Sequence, residues 1–100
     1  MYVSIRRYRD VGDAAAFLNA IQLEFAPRLR RMPGFVAYYA FEAQDTAEIT
    51  TVSVFSTAAM ARESADAAAA WLRERGNGAG PEAVEITAGR MAFALPPIRG

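Results

Sequence analysis

The stretch Pro33–Ser56, PGFVAYYAFEAQDTAEITTVSVFS, decides the fold of this 100-residue chain. It contains two runs rich in Val, Ile, Thr, Tyr and Phe, Phe35–Glu42 and Glu48–Ser56, with a short polar segment between them. Residues of these types fit a pleated, half-buried surface, and a polar break between two such runs is typical of a hairpin. The stretch therefore predicts two antiparallel strands, which we expect at the centre of a sheet.

A long amphipathic helix is predicted before this hairpin. Apolar residues recur at steps of three and four from Ala14 to Met32, which places them on one side of a helix. Asp13 lies just before them, and its carboxylate can accept hydrogen bonds from the free amides of the first turn. Pro27 interrupts the pattern, because proline lacks the backbone donor and pushes against the carbonyl oxygen four residues earlier. We therefore expect a kink near Leu23–Pro27.

Further elements lie at both ends of the chain. Tyr2–Arg9 alternates with a period of two, which predicts a strand with its first half buried. Ala58–Arg75 is rich in alanine and predicts a second helix. Residues 76–81 contain three glycines and predict a linker. Glu82–Ala94 predicts a last strand, with a bulge at Gly89.

The order of these elements predicts a single α+β domain over residues 1–100. The βαββαβ order is typical of the ferredoxin-like fold, a four-stranded antiparallel sheet with two helices on one face. Both helices lie on the same side because crossover connections are right-handed. The other face of the sheet is then bare.

The hairpin predicts what covers that bare face. Both of its sides are apolar, with alternate residues in two sets: Phe35, Ala37, Tyr39 and Phe41, and Val36, Tyr38 and Ala40. A sheet with two apolar faces and helices on only one of them needs another cover. We therefore expect a homodimer that forms through the open sheet face.

Composition excludes several classes of function. The chain has no Cys and no His, and its 11 basic residues balance its 11 acidic residues. Thiolate chemistry, His-dependent catalysis and most metal sites are thereby excluded, so no metal is predicted. Neither hairpin strand contains Lys or Arg, which argues against nucleic-acid binding on the sheet. No apolar run approaches the roughly 18 residues of a membrane span, and no signal-peptide core is visible, so we expect a cytoplasmic protein with no membrane partner.

The chain resembles the dimeric α+β barrel superfamily and, within it, the antibiotic biosynthesis monooxygenase-like (ABM-like) proteins. The resemblance extends from Tyr2 to about Phe93. The residues that carry it are the strand start Val3–Tyr8, the junction Met32–Tyr38 (MPGFVAY), the strand Thr51–Phe55 (TVSVF), and a following helix with Ser64 and Ala70–Leu72.

This resemblance implies a cofactor-independent monooxygenase-like protein that acts on or binds a small aromatic or polyketide-like molecule in a cleft between helix and sheet. In that chemistry the substrate supplies a carbanion or radical and the pocket orients it, so no cofactor is expected. The haem-degrading branch of the superfamily depends on an axial histidine, which this chain lacks. The alternative is a non-catalytic dimeric ligand-binding or stress-related domain of the same fold.

Five residues are candidates for ligand binding by their type, and none is assigned a catalytic role: Trp71, Tyr38, Tyr39, Asn19 and Arg90. Trp71 either lies over a ligand or fills the core beneath the alanine-rich helix. Neighbouring strand residues face opposite ways, so at most one of Tyr38 and Tyr39 points into a given cleft, and the other belongs to the dimer face. Asn19 lies off the apolar stripe of the first helix, so it either contacts a ligand or is simply exposed to solvent. Arg90 either pairs with Glu85 or Glu42 or holds an acidic or phenolic oxygen.

Overall fold

The computed structural model describes residues 1–46, 48–75 and 83–98, without the side chains of residues 83 and 84. Its elements follow the predicted order: β1 (Tyr2–Tyr8), α1 (Ala14–Ala20), a π-helical turn (Ile21–Phe25), α2 (Ala26–Arg30), β2 (Phe35–Glu42), β3 (Ile49–Phe55), α3 (Ala58–Arg75) and β4 (Ala83–Arg90). The predicted linker over residues 76–81 and the predicted strand start at Glu82 lie outside the described residues. The ferredoxin-like arrangement is confirmed.

The four strands form one antiparallel sheet in the order β2-β3-β1-β4. The predicted hairpin is therefore present, but its place at the centre of the sheet was wrong. β2 is an edge strand, while β3 and β1 form the centre. The reason is topological, because each helix connects two strands that are not neighbours and thereby inserts β1 beside β3.

The two faces of the sheet differ in their cover. On the helix-facing side, Tyr8 of β1 pairs with Ile49 of β3, and both belong to a buried core with residues of the helices. The other members of that side on these two strands are Tyr2, Ser4, Arg6, Thr51, Ser53 and Phe55. On the opposite side, which we call the open face, the same strands carry Val3, Ile5, Arg7, Thr50, Val52 and Val54, and β2 adds Tyr39 and Phe41.

The first helix begins as predicted and then changes its winding. The Asp13 carboxylate accepts a hydrogen bond of 3.1 Å from the amide of Ala16, which confirms the N-cap. The kink expected near Leu23–Pro27 takes the form of the π-helical turn, where the amide of Ala26 donates to the carbonyl oxygen of Ile21. Pro27 then lies in the first turn of α2, directly after this wider turn.

The junction between the first helix and β2 is tight. Gly34 has a φ of +78°, and a Cβ atom there would lie 2.1 Å from the Sδ atom of Met60 on α3. The bulge predicted at Gly89 was wrong, since this residue pairs in register with Val3. The irregularities lie instead beside Arg7 in the pairing of β1 with β4, and after Phe35 in the pairing of β2 with β3.

Among the helices that the structure describes, none has both the length and the apolar character that a membrane crossing requires.

Candidate functional site

A small cavity lies between the helices and the helix-facing side of the sheet. Its upper wall is apolar and comes from the first helix and α3: Phe17, Ile21, Phe25, Leu29, Ala65, Ala68, Trp71 and Leu72. Its floor is polar and comes mainly from the strands: Ser4, Arg6, Tyr8, Tyr38, Thr51 and Ser53, with Ser64 of α3. Ligand sites commonly combine an apolar wall with a few convergent polar groups, so this helix–sheet cavity is the candidate site.

Arg6 is the cation of this floor. It lies on β1 opposite Thr51 of β3, so its half-buried side chain extends beneath the helices. Its Nη2 donates to the carbonyl oxygen of Ala65 on α3 at 3.2 Å. Its Nη1 reaches the Tyr8 hydroxyl at 3.5 Å, the upper limit of hydrogen-bond length. The guanidinium therefore spans from the sheet to the helix across one side of the cavity.

Tyr38 supplies a second polar group from β2. Burial raises the pKa of its hydroxyl, and the neighbouring Tyr8 raises it further, while a hydrogen bond with Thr51 and the charge of Arg6 act in the opposite direction. The Tyr38 hydroxyl is therefore neutral at physiological pH. A neutral phenol both donates and accepts, so it can bind a carbonyl, a hydroxyl or a charged oxygen of a ligand.

Aromatic rings close the cavity on the helix side. The Trp71 indole stacks on the Phe25 ring with centroids 5.3 Å apart, and Phe25 meets Tyr38 edge to face at 6.2 Å. The Arg75 guanidinium lies 5.8 Å from the centre of the Trp71 ring and also binds the Glu24 carboxylate at 2.7 Å. The π-helical turn and the end of α3 are thus held together at the same place.

The cavity is narrow in this conformation. The space open to the centre of a water-sized sphere is about 20 Å³, and one water needs about 10–15 Å³ on this measure. Two surface grooves adjoin it. One shares Ile21 and Tyr38 with the cavity, and the other shares Ser4 and Ala65. A ring-sized ligand enters only after one of these walls moves.

The structure brings together two of the five candidates named from the sequence. Trp71, with 4% of its surface exposed, and Tyr38 both line the cavity. Tyr39 points to the open face and is 57% exposed. Asn19 is exposed on α1, and Arg90 is exposed on β4, opposite Tyr2. These last three candidates do not line the cavity.

Sequence reasoning missed Arg6, Tyr8, Thr51 and Ser64 as residues of this site. The alternation of β1 already places Arg6 and Tyr8 on one side of the strand. It does not show which side the helices cover. The other side carries the apolar Val3 and Ile5, and only the pairing of Tyr8 with the core residue Ile49 decides the question.

No group of three or more acidic side chains with metal-binding geometry occurs in the part of the chain that the structure describes.

Comparison with known proteins finds likeness in structure and none in sequence. The sequence matches no protein-family model and no curated protein. SnoaB from Streptomyces nogalater, described as a cofactor-independent oxygenase, superposes with a TM-score of 0.72 at 18% identity, over 95% of this chain and 96% of that one. The chain has the fold of the antibiotic biosynthesis monooxygenases.

Two further solved structures extend the comparison. HapK from Hahella chejuensis has a TM-score of 0.71 at 20% identity and covers 94% of this chain and 95% of its own. The monooxygenase ActVA-Orf6 of Streptomyces coelicolor, solved with the ligand nanaomycin D, has a TM-score of 0.63 at 20% identity, over 93% and 90% of the two chains. At these identities the likeness shows the fold, and the activity is argued separately.

Proposed function

We propose that this protein is a cofactor-independent monooxygenase-like enzyme for a small aromatic or polyketide-like molecule, which binds in the helix–sheet cavity. The observation that carries the proposal is the convergence of one guanidinium with hydroxyl groups, among them those of Tyr8, Tyr38 and Thr51, beneath the stacked rings of Phe25 and Trp71. The fold shared with SnoaB and ActVA-Orf6, described as oxygenases, supports the choice of reaction.

The reaction that suits such a site takes its electrons from the substrate. A ring CH₂ flanked by aromatic groups loses a proton to give a carbanion that the rings stabilise, and this carbanion passes electrons to O₂. One oxygen atom ends as the new C=O group and the other leaves as water, so substrate and O₂ account for every atom and all four electrons. The protein then contributes orientation and exclusion of water.

The residues of the cavity fit those two tasks. The rings of Phe25 and Trp71 stack on each other and line the cavity, so they offer apolar surface against which a ring system can pack. The Tyr38 hydroxyl and the Arg6 guanidinium lie on the opposite side and can bind the ring oxygens of the ligand. These contacts fix which ring carbon is presented to O₂.

A second function, ligand binding without catalysis, is favoured by one observation. Among the described residues, the side chains that line the cavity include no carboxylate and no imidazole, the groups that most often act as a base near neutral pH. An enzyme of this kind would depend on the acidity of the substrate itself. A binding protein has no such requirement.

We also propose that the protein is a homodimer that forms through the open face. Tyr39 and Phe41 lie on that face and are 57% and 51% exposed, beside the half-buried Ile5 and Val52 of the neighbouring strands. A contiguous apolar surface of this kind is uncommon on a monomer. A second copy of the same sheet covers it with matching shape.

Oxygen uptake with anthrone as the probe tests the proposed reaction, because anthrone has a CH₂ between two aromatic rings. Protein stripped with a chelator should accelerate oxygen consumption and form anthraquinone that carries one atom from isotopically labelled O₂. Ala65→Leu narrows the cavity and should abolish the acceleration, whereas Ala59→Leu, exposed on the same helix, should retain it. If anthrone binds but oxygen consumption is not accelerated, the enzymatic function is contradicted and the non-catalytic binding function remains.

A further inference from the structure

Arg6 differs from the other arginines of the described chain in its surroundings. Each of the others is either exposed or paired with a carboxylate; Arg7, the one other half-buried arginine, binds both Glu48 and Glu85 on the open face. Arg6 is half-buried on the helix-facing side, and no described carboxylate lies within 4.0 Å of it. A partly desolvated cation without a counter-charge is costly to a fold.

Its hydrogen-bonding capacity is only partly used. A guanidinium carries five N–H donors, and the protein contacts of Arg6 are those with the Ala65 carbonyl and the Tyr8 hydroxyl. No side-chain nitrogen or oxygen in the described residues is sealed from solvent without a hydrogen-bond partner. The Nε of Arg6 makes no hydrogen bond to the described residues and therefore reaches solvent-accessible space, and the side chain lines the cavity.

The groups around Arg6 do not supply the missing negative charge. On β1 and β2 the titratable side chains that line the cavity beside Arg6 are the phenols Tyr8 and Tyr38. On β4 the residue opposite Arg6 is the uncharged Ile86. The Tyr38 hydroxyl stays neutral because burial raises its pKa. On β3 and α3 the polar neighbours in the cavity are Thr51, Ser53 and Ser64, which carry no charge.

We propose that the helix–sheet cavity takes its aromatic ligand as an oxyanion, a phenolate or the vinylogous enolate of a ring ketone, whose charged oxygen binds the Arg6 guanidinium and the hydroxyls of Tyr8 and Tyr38. The inference rests on the proposed function in one respect, the aromatic nature of the ligand. It deepens it by naming the charge state and the residue that selects it. A charged oxygen accepts several short hydrogen bonds, which this floor supplies from three side chains.

This arrangement also explains how the ligand can ionise although no described side chain of the cavity is a carboxylate or an imidazole. A cation beside the oxygen favours the ionised form of the ligand, and an opposite charge at close range shifts a pKa by about 1–3 units. In the conjugated anion the charge extends from the oxygen to the ring carbon. Arg6 thus acts as a positioning and specificity-determining residue: it favours the ligand that has given its proton to solvent water, so no side-chain base is required.

The test uses para-nitrophenol, whose anion absorbs visible light and whose neutral form does not, so that absorbance reports the bound charge state. Its methyl ether, para-nitroanisole, has the same ring without the acidic proton. The wild type should bind the phenolate and lower the apparent pKa of the probe by about one unit or more. Arg6→Gln should lose this shift, Arg6→Lys should keep part of it, and Arg90→Gln, exposed on β4, should keep all of it.

The outcomes separate this inference from the proposed function. Equal probe pKa values in the wild type and Arg6→Gln, or preference for the ether over the phenolate, would overturn the role of Arg6 while the cavity remained a ligand site. If the protein binds the phenolate but does not accelerate oxygen consumption with anthrone, the proposed enzymatic function is contradicted and the inference about Arg6 stands. If neither probe binds to the folded wild type, both are contradicted. Should Arg6→Gln not fold, the wild-type pKa shift and the partial shift of Arg6→Lys decide the question.

Discussion

The Trp71 indole lies stacked on the Phe25 ring at 5.3 Å, and each of the two side chains is 4% exposed. The contact joins α3 to the π-helical turn, and on its sheet side both rings line the helix–sheet cavity. Trp71 is therefore a core residue that is also a wall of the candidate site. The two roles named for it from the sequence meet in one side chain.

Truncation of Trp71 tests the core role. Trp71→Ala should destabilise the fold by about 3–5 kcal/mol, because it removes a large buried ring and leaves a void beside Phe25. That is a large part of the stability of a domain of this size. Thermal and denaturant unfolding measure the change, with Phe93→Ala, at a position 83% exposed, as the control that should stay within about 0.5 kcal/mol. A nearly native melting temperature for Trp71→Ala would contradict the buried stack.

The π-helical turn shows which features of the first helix can be predicted from the spacing of its apolar residues and which cannot. Phe17, Ile21, Phe25 and Leu29 follow one another at four-residue steps, and all are buried. At about 100° per residue, each such step drifts by about 40° in a regular α-helix. The wider π-helical turn removes part of this drift and keeps Phe25 and Leu29 over the sheet. Pro27 indicated that the helix is irregular here, but the burial of Phe25 and Leu29 against the sheet determined that the irregularity is a π-helical turn.

The pairing across strands was less accessible to sequence reasoning. The strands and their order follow from local patterns, so β2 and α3 were predicted with the bounds that the structure has. The proximity of Arg6 to Tyr38 follows from the register of β1, β3 and β2, which no local pattern fixes. The same holds for Glu48, which meets Arg7 only through the pairing of β3 with β1.

Gly12 and Gly34 allow the cost of a left-handed backbone to be measured separately from the cost of a steric clash. Gly12 and Gly34 both have a φ of +78°, but only Gly34 has a neighbour within 4 Å of a built Cβ atom. Gly12→Ala should cost about 1–2 kcal/mol from the left-handed backbone alone. Gly34→Ala should cost about 1–3 kcal/mol more, because the methyl group meets Met60. Equal losses in denaturant unfolding would contradict the close approach, and Met60→Ala in the Gly34→Ala background should recover the added loss.

Glu48 should make stability depend on acid. Its carboxylate binds Arg7 at 2.9 Å, and this hydrogen bond holds its pKa below the ordinary glutamate value. A lowered pKa favours the folded state above the unfolded-state value of about 4.3, and that contribution is lost as the pH falls from there toward the folded-state pKa. The stability difference between the wild type and Glu48→Gln should therefore shrink below about pH 4.3.

Denaturant unfolding from neutral pH to pH 3 measures this difference. Glu63→Gln, exposed on α3 and in no described ion pair, is the matched control and should show no such convergence. A gap between the wild type and Glu48→Gln that stays constant with pH would mean that the Glu48 charge does not stabilise the fold.

The proposed dimer predicts a difference between two adjacent positions on β2. Tyr39 lies on the open face, whereas Ala40 is exposed on the other side of the same strand. Wild type at micromolar concentration should sediment at twice the chain mass of 10.9 kDa. Tyr39→Glu places a charge in the interface and should give monomer, since an unpaired buried charge costs several kcal/mol. Ala40→Glu should remain dimeric. Monomeric wild type would remove the dimer from the account.

The central claim is that the helix–sheet cavity is the ligand site, and the fluorescence of Trp71 tests it most directly. Trp71 is the single tryptophan of the chain and part of the cavity wall, so its emission reports on that place alone. Titration with 1-naphthylacetate, followed at wavelengths where the probe does not emit, should change the Trp71 emission to saturation in the wild type and in Ala59→Leu. Ala65→Leu should show no saturable change. A wild-type emission that is unchanged or varies linearly with probe concentration, or the same saturation curve in Ala65→Leu, would contradict the claim.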